Sequence, residues 1–357
     1  MEKKKGKNKI KKNLLNILLF LCLIIITFCL ILKDQNTEEI LAAVGEAKKQ
    51  YLICGMCAMV VFISCEAFNI KRILKGLGEE TSFLKNVKYA LIGFFFSAIT
   101  PAATGGQPME IYYMHKDGIS VANGTLALLV QLMSLQIVNL SLGIISVFFN
   151  FEVVNNGLMA LAIIGVFLNS CALVLLIISI FSKKLSKILI NFCVKILKFF
   201  KKKNIDQLQE KLEYELTKYQ ENSDYIKKNK KIVFKSILST LVQMCAYYMV
   251  PFFVYKAYGL NEYGIIRIMS LQALLYTTVS GIPSPGSVGV SEGGFLGIFR
   301  NIFSAEIISS AMILNRVVNF YLLVLTSSII VIICTLKDKK DEKTMEIAEN
   351  SESSIEE

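Results

Sequence analysis

Three ionisable residues stand out because each lies in a stretch of otherwise apolar or small residues: Glu110, Glu292 and Arg316. Charged side chains are costly inside a bilayer, and where they occur they mark substrate or ion pathways. A carboxylate there can attract a cationic group or carry a proton, whereas the planar guanidinium of arginine can hold a phosphate through two hydrogen bonds. These residue types therefore indicate a site for a charged head group within a membrane.

Two breaks rich in glycine and proline contain the glutamates. They read SAITPAATGGQPMEIYYMHKDG at residues 97–118 and TVSGIPSPGSVGVSEGGFLG at residues 278–297, and in each a proline precedes the glutamate by nine residues. Gln107 is a further candidate for binding the substrate, with Glu110, Glu292 and Arg316. The residues that are predicted to break the helices are Pro101, Gly105, Gly106, Pro108, Pro283, Pro285, Gly286 and Gly289. Because non-helical backbone at membrane depth must be covered by protein or line a cavity, the breaks are predicted to line one.

The composition identifies the elements that position these residues. The chain is 54% hydrophobic with a mean hydropathy of +0.53, which excludes an ordinary soluble domain. The net charge is +11, and the excess basic residues lie in loops. In a membrane protein such residues set the orientation of the helices and attract anionic lipid, so we favour these roles over nucleic-acid binding. The basic residues 1–12 precede the apolar run Asn13–Leu32, which we interpret as a retained first helix because no small-residue cleavage site follows.

The distribution of lysine predicts the topology. Fourteen lysines place residues 183–231 in the cytoplasm. The segments 89–118 and 265–303 each begin and end on one side of the membrane, so both are predicted to be re-entrant hairpins, entering from opposite faces. The predicted fold class is an all-α polytopic membrane protein with about six spanning helices and these two opposed re-entrant hairpins, related as an inverted pseudo-repeat.

This topology divides the chain into a first membrane half, a cytoplasmic insert, a second membrane half and a disordered acidic tail, at residues 13–181, 182–231, 232–336 and 337–357. We expect the protein to lie in the cytoplasmic membrane, with both termini in the cytoplasm. In the insert, one face of an amphipathic helix at Lys183–Lys203 is expected to bind anionic lipid through Lys184, Lys187, Lys195, Lys198 and Lys202. The following segment, Asn204–Lys231, is predicted to fold back as a helix or to dock a partner.

Each functional interpretation has a structural alternative. The breaks could serve only to kink helices, and Gly289, Gly293 and Gly297 have the four-residue spacing of close helix packing. Arg316 could pair with Glu292. Glu66 is expected to meet head groups or water near the cytoplasmic end of the second helix. The polar stripe Ser236, Thr240, Gln243 and Tyr247 could line a path or form hydrogen bonds between helices.

The paired stretches TPAATGGQPMEIYYMHKDGIS and PSPGSVGVSEGG give the chain a family resemblance over residues 13–336. The sequence resembles the lysylphosphatidylglycerol synthase transmembrane family, also called flippase-like or multiple peptide resistance factor-like. Full-length synthases of that family add a soluble domain that transfers lysine from lysyl-tRNA to phosphatidylglycerol. Here neither residues 183–231 nor the 21-residue tail could bury the core of such a domain.

The resemblance therefore implies a lipid translocase that moves a phospholipid, an aminoacyl-phospholipid or a polyprenyl-linked lipid between leaflets. The alternatives are phosphatidylglycerol lysyltransferase activity, which the family label suggests, and a membrane scaffold or regulator of envelope lipid synthesis. The expected partners are membrane lipids, anionic or aminoacylated, and a second copy of the chain or a separate synthase. We expect no nucleic acid, no cofactor and no metal, and the sequence has no phosphate-binding loop for ATP.

Overall fold

The structure, a computed structural model, describes residues 37–100, 103–150, 156–182, 206–282 and 284–353, together with residues 184, 187, 188 and 191. All regular elements in these ranges are helical, which confirms the predicted class. The α-helices are α1 Thr37–Glu46, α2 Lys49–Gly76, α3 Phe83–Ala98, α4 Gly106–Lys116, α5 Val121–Phe149, α6 Asn156–Phe181, α7 Asp206–Lys228, α8 Lys230–Tyr248, α9 Val250–Ala257, α10 Ile265–Val279, α11 Val290–Ile298, α12 Ile308–Arg316 and α13 Leu322–Ser353. A 3₁₀ turn at Pro285–Ser287 precedes α11, and a π turn at Val317–Tyr321 joins α12 to α13.

Five helical segments within the described ranges are long and apolar enough to cross a membrane. They are Lys49–Gly76, Val121–Phe149, Ala160–Phe181, Lys230–Ala257 and Ile308–Lys337. These segments correspond to five of the six predicted spans, and the sixth, Asn13–Leu32, lies outside the described residues. The protein is therefore a multi-pass membrane protein.

The four helices beside the breaks are shorter. Helices α3 and α4 pack against each other as an antiparallel pair, and α10 packs against α11. The longest of them, α3, has 16 residues, or about 24 Å at 1.5 Å per residue, whereas the hydrocarbon core is about 30 Å thick. Two helix–break–helix units are thus present where the sequence predicts hairpins. Their entry into the membrane from opposite faces stays a prediction.

In the first helix–break–helix unit, the end away from the break is held by Asp117, which follows α4. Its Oδ2 accepts a hydrogen bond of 2.6 Å from the Tyr89 hydroxyl and one from the Lys88 ammonium. Burial by itself raises the pKa of Asp117, but these two hydrogen bonds and the positive charge of Lys88 outweigh it and lower the pKa. The contact fixes the start of α3 against the end of α4.

Apolar packing joins the two halves at their breaks. One large cluster of buried side chains fills the space around α2 to α5, and a second fills the space around α9 to α12. A smaller cluster combines Phe95, Ala98 and Ile99 of the first unit with Val288 of the second and Phe320 of the π turn. The tips of the two units are therefore in direct contact.

Helix α7 folds back on the membrane helices, as one of the two interpretations of residues 204–231 predicts. The Glu215 carboxylate accepts a hydrogen bond of 2.8 Å from the Ala122 N–H in the first turn of α5. The Tyr219 and Ser223 hydroxyls donate to the Ser179 and Ile180 carbonyls at the end of α6. A carboxylate at the N-terminus of a helix satisfies a free N–H and complements the helix dipole.

The lipid-binding face predicted for Lys183–Lys203 lies largely outside the described residues, which include Lys184 and Lys187 but not Lys195, Lys198 or Lys202. Helix α13 continues to Ser353, into the segment for which the sequence predicts disorder. Glutamate and lysine are frequent there, and both have high helix propensity.

The contact between Glu215 and α5 predicts a stability effect. Replacing Glu215 with alanine leaves the Ala122 N–H without its partner and should lower the free energy of unfolding by about 1–2 kcal/mol. Thermal unfolding of the purified full chain in detergent measures the change. The matched control is Glu221→Ala, because Glu221 is exposed on the same helix; an equal shift in both variants would contradict the capping role.

Candidate functional site

A cavity of about 340 Å³ lies between the two helix–break–helix units. Ser97 and Ala103 of the first unit and Gly286 of the second line it, so the breaks face a common space, as the sequence predicts. The polar residues of the lining are Ser97, Tyr247, Gln272, Tyr276, Ser280, Ser284, Ser287, Ser291 and Arg316. Among these described residues Arg316 carries the only formal charge. The cavity thus combines many hydroxyl groups with one guanidinium group.

Unusual backbone angles occur at both breaks. In the described ranges, two residues other than glycine have a positive φ: Ala103, at 54°, and Ser287, at 53°. Both line the cavity. Left-handed conformations of this kind are strained for residues with a Cβ and concentrate at binding sites and switch regions. The same distortion at both tips therefore supports the interpretation of the breaks as parts of a site.

Arg316 and Glu292 form a buried ion pair beside the cavity. Arg316 Nε donates to Glu292 Oε1 at 2.7 Å, and its Nη2 donates to the Gly286 carbonyl at 3.0 Å. The other carboxylate oxygen of Glu292 accepts the Gly289 N–H at 2.8 Å, and Tyr321 donates to Oε1 at 3.3 Å. This is the pairing that the sequence left open as an alternative.

The two partners of this pair differ in position. The Glu292 side chain is 0% exposed and is not among the cavity-lining residues, whereas Arg316 is 5% exposed and contributes to the wall. Glu292 therefore fixes the guanidinium and bonds the backbone of the second break at Gly289. Arg316 is the member of the pair that a ligand can reach.

The π turn at Val317–Tyr321 helps to set this geometry. The Arg316 guanidinium lies 4.2 Å from the centre of the Phe320 ring and 5.6 Å from that of Tyr321. Cation–π contacts of this kind stabilise a charge that water reaches poorly. A π turn inserts an extra residue into a helix and is frequent at functional sites. Here it places Arg316, Phe320 and Tyr321 around one point.

Glu110 occupies a different environment from its counterpart. It lies in the second turn of α4, because that helix begins at Gly106. Its carboxylate fills the space that a Cβ at Gly93 would take, and no residue that the structure describes forms a hydrogen bond with its Oε2. It is buried behind the cavity wall, and Gln107 beside it is half-buried and is not part of the lining.

The remaining break residues have distinct local roles. Gly105 donates its N–H to the Thr100 hydroxyl at 2.9 Å. A Cβ at Gly106 would overlap the Ser97 side chain and the Gly93 carbonyl, so only glycine fits there. Pro108 is the third residue of α4 and Pro285 opens the 3₁₀ turn, whereas Pro101 and Pro283 lie outside the described residues.

The glycine spacing in α11 does not serve packing within the described chain. No heavy atom comes within 4 Å of a Cβ placed at Gly293 or Gly297. Gly289, the first glycine of this series, has a φ of 85° and is the N-cap residue of the helix. Close helix packing therefore does not explain these residues.

The polar stripe of α8 divides between its two interpretations. Tyr247 lines the cavity. Thr240 accepts a hydrogen bond of 3.0 Å from Asn69 of α2, and Gln243 donates to Glu66 of the same helix at 3.3 Å.

The sequence did not identify Gln272 and Tyr276 as residues of the site, although a single amide within the apolar run Ile265–Val279 was a visible signal. In the described residues no group of three histidine, cysteine or acidic side chains could hold a metal.

The backbone of the second break predicts a contrast between two glycines. A Cβ at Gly286, where φ is 58°, would overlap the Phe320 ring and come within 3.2 Å of the Ala98 carbonyl. Gly286→Ala should therefore destabilise the protein by at least about 1 kcal/mol. Gly293→Ala, in a helix with open space, is the matched control and should be neutral or stabilising by about 0.5–1 kcal/mol. Thermal unfolding compares them, and equal effects would contradict the assigned backbone.

The buried ion pair predicts a larger effect. Replacing Arg316 with leucine leaves the Glu292 carboxylate buried and unpaired, which should cost about 3–5 kcal/mol of unfolding free energy. Arg300→Leu is the control, because Arg300 is exposed. Chemical denaturation in detergent gives the values. Adding Glu292→Gln to the Arg316 variant should recover part of the loss, and its failure to do so would argue against a paired charge.

Comparison with known proteins gives a family and two distant relatives. The family model described as "Lysylphosphatidylglycerol synthase TM region" matches residues 13–327. A UPF0104 membrane protein of Pyrococcus horikoshii is 21% identical over 322 residues, which cover 85% of this chain and 91% of the relative. A UPF0104 membrane protein of Archaeoglobus fulgidus is 20% identical over 314 residues, covering 87% and 94%. The match extends over most of the chain, and this protein therefore belongs to the lysylphosphatidylglycerol synthase transmembrane-region family.

Proposed function

We propose that this protein moves a lipid with a phosphate-containing head group between the two leaflets of the cytoplasmic membrane. The head group passes through the cavity between the two breaks while the acyl or polyprenyl tails stay in the bilayer. The observation that carries the proposal is the polar cavity itself, which lies where two interrupted helices meet and has Arg316 in its wall. Membership of a family named for lipid synthase membrane regions supports the lipid as ligand class.

The chemistry of the wall favours an anionic head group. A guanidinium presents five N–H donors in a fixed fork, and the contacts to Glu292 and Gly286 use two of them. The hydroxyls of Ser284 and Ser287 add weaker donors on the same wall. Phosphate oxygens accept hydrogen bonds from both kinds of group. A phosphodiester is therefore the part of a lipid that fits best.

Two polar atoms of the cavity lining have no hydrogen-bond partner among the described residues. Gln272 is buried, and its Oε1 makes no hydrogen bond within the described residues; the same holds for the Ser284 hydroxyl. A buried polar atom without a partner is unfavourable by about 1–3 kcal/mol. A ligand with donors of its own, such as a glycerol or aminoacyl head group, would satisfy the amide oxygen. The head group of an aminoacyl-phospholipid offers both a phosphate and such donors.

The proposal is tested by reconstitution of the purified full chain in liposomes that contain fluorescent lipids. Accessibility of the label to a membrane-impermeant quencher measures movement between leaflets. We expect wild-type protein to move anionic or aminoacylated phosphatidylglycerol faster than a zwitterionic lipid. Gln272→Leu should slow this movement at least several-fold, because it places an apolar group at the cavity wall without disturbing the Arg316 ion pair.

The matched control is Gln50→Leu, because Gln50 is exposed near the start of α2 and far along that helix from the residues that meet α8. It should move lipid as wild type does. Absence of protein-dependent movement for every lipid tested would overturn the proposal. Formation of lysyl-lipid by the purified chain with charged tRNA would instead favour the transferase.

A further inference from the structure

The cavity between the two breaks is accessible mainly along one short stretch of its wall. Among the lining residues, Ser280, Gly281 and Ile282 are exposed and follow one another directly after α10. The other exposed lining residue is Ala103 of the first break. We call residues 280–282 the rim of the cavity. Most of the accessible part of the wall therefore belongs to the rim.

One turn of α6 packs closely against this part of the second unit. A Cβ at Gly165 would overlap the Thr277 carbonyl, so the α6 backbone approaches the last turn of α10 as closely as glycine allows. Three residues further on, the Leu168 side chain lies against Gly281, where a Cβ would come within 2.8 Å of it. Residues 165–169 of α6, which we call the gate turn, therefore cover the rim.

A polar contact ties the gate turn to the rim. Asn169 donates to the Ser280 hydroxyl at 2.9 Å, and Ser280 in turn donates to the Thr277 carbonyl at 3.2 Å. Gln136 of α5 donates to the side-chain oxygen of Asn169 at 2.6 Å and so fixes its orientation. Asn169 and Gln136 lie near the middle of α6 and α5, and both are half-buried. Polar side chains at this depth of a membrane are costly and mark substrate pathways.

The surface around this contact is apolar and exposed. In the most apolar stretch of α6, 11% of the residues are buried, the lowest share among the five candidate spans. Phe167 and Leu168 are 65% and 43% exposed, and Ile282 on the rim itself is 39% exposed. Exposed apolar surface of this kind adjoins lipid in a membrane protein. The rim therefore opens toward acyl chains rather than toward water.

We propose that the gate turn is a lateral gate through which lipid enters the cavity. When α6 moves away from α10, the hydrogen bond between Asn169 and Ser280 opens, and the head group passes the rim while the tails stay in the bilayer. A single hydrogen bond between neutral side chains is a weak closure. The freed Asn169 amide can donate to the ester or phosphate oxygens of the passing lipid. This gate gives the route of the lipid and rests on the proposed function.

Fluorescence quenching tests the surroundings of the rim without any transport measurement. In the full chain with its nine cysteines replaced, a bimane label on Ile282→Cys should be quenched by lipids brominated in the middle of their tails, and far less by iodide in the water. Phe167→Cys should behave in the same way, because this side chain is exposed on α6. Glu262→Cys, in an exposed loop, should be quenched by iodide alone. Quenching of the Ile282 label by iodide alone would overturn the gate.

A cross-link tests the movement of the gate turn in liposomes. A reducible thiol cross-linker that joins Asn169→Cys to Ser280→Cys should slow lipid movement at least several-fold relative to the same variant before treatment, and reduction should restore the rate. The matched pair is Asn150→Cys with Ser270→Cys, because these side chains make a similar contact, at 3.0 Å, between the C-cap of α5 and the first half of α10. Cross-linking of this pair should leave the rate unchanged.

The outcomes separate the gate from the translocase. Unchanged lipid movement after the first cross-link would overturn the gate and leave the translocase proposal intact. An equal loss with both pairs would also contradict the gate, because any fixation of α10 would then block movement. Absence of lipid movement in wild type would overturn the translocase proposal and the gate with it. Thermal unfolding verifies that the cysteine variants are folded.

Discussion

The architecture depends on satisfying the backbone at two interrupted helices that lie in an apolar surrounding. An interrupted helix exposes N–H and carbonyl groups that neither lipid nor apolar side chains can bond. In the second break, Glu292 accepts the Gly289 N–H, and Arg316, which Glu292 holds, donates to the Gly286 carbonyl. In the first, Thr100 accepts the Gly105 N–H. These few bonds allow unwound backbone to line a polar space.

The two breaks use the same spacing for different chemistry. Each glutamate follows a proline by nine residues, yet Glu292 is paired with Arg316, while Oε2 of Glu110 has no hydrogen-bond partner among the described residues. The difference arises because α12 and the π turn bring an arginine to the second unit, whereas the Glu110 carboxylate lies against Gly93 of α3 in the first. One half of the molecule thus supplies a fixed positive group to the cavity wall, and the other keeps its glutamate behind that wall.

The sequence predicted the helical class, five spans within the described residues and the positions of both breaks, because long apolar runs and clustered glycine and proline are local signals. It also placed Arg316 beside Glu292 as an alternative. It did not predict the hydrogen bond between Gln243 and Glu66, because these residues are 177 positions apart and only the packing of α2 on α8 joins them. The contribution of Gln272 likewise depends on which face of α10 meets the cavity, and the nearly uniform apolar run around it does not specify that face.

The π turn after Arg316 has a consequence for how this chain can change during evolution. Residues 308–337 look like an unremarkable hydrophobic span, and such spans usually tolerate small length changes by sliding or tilting. Deleting one residue from Val317–Tyr321 would restore α-helical hydrogen bonding and would remove the widened turn that places Arg316, Phe320 and Tyr321 around one point. The guanidinium would then lose its present contacts with the two rings. Alignments of functional relatives should therefore be free of gaps through this turn, even where the surrounding residues diverge.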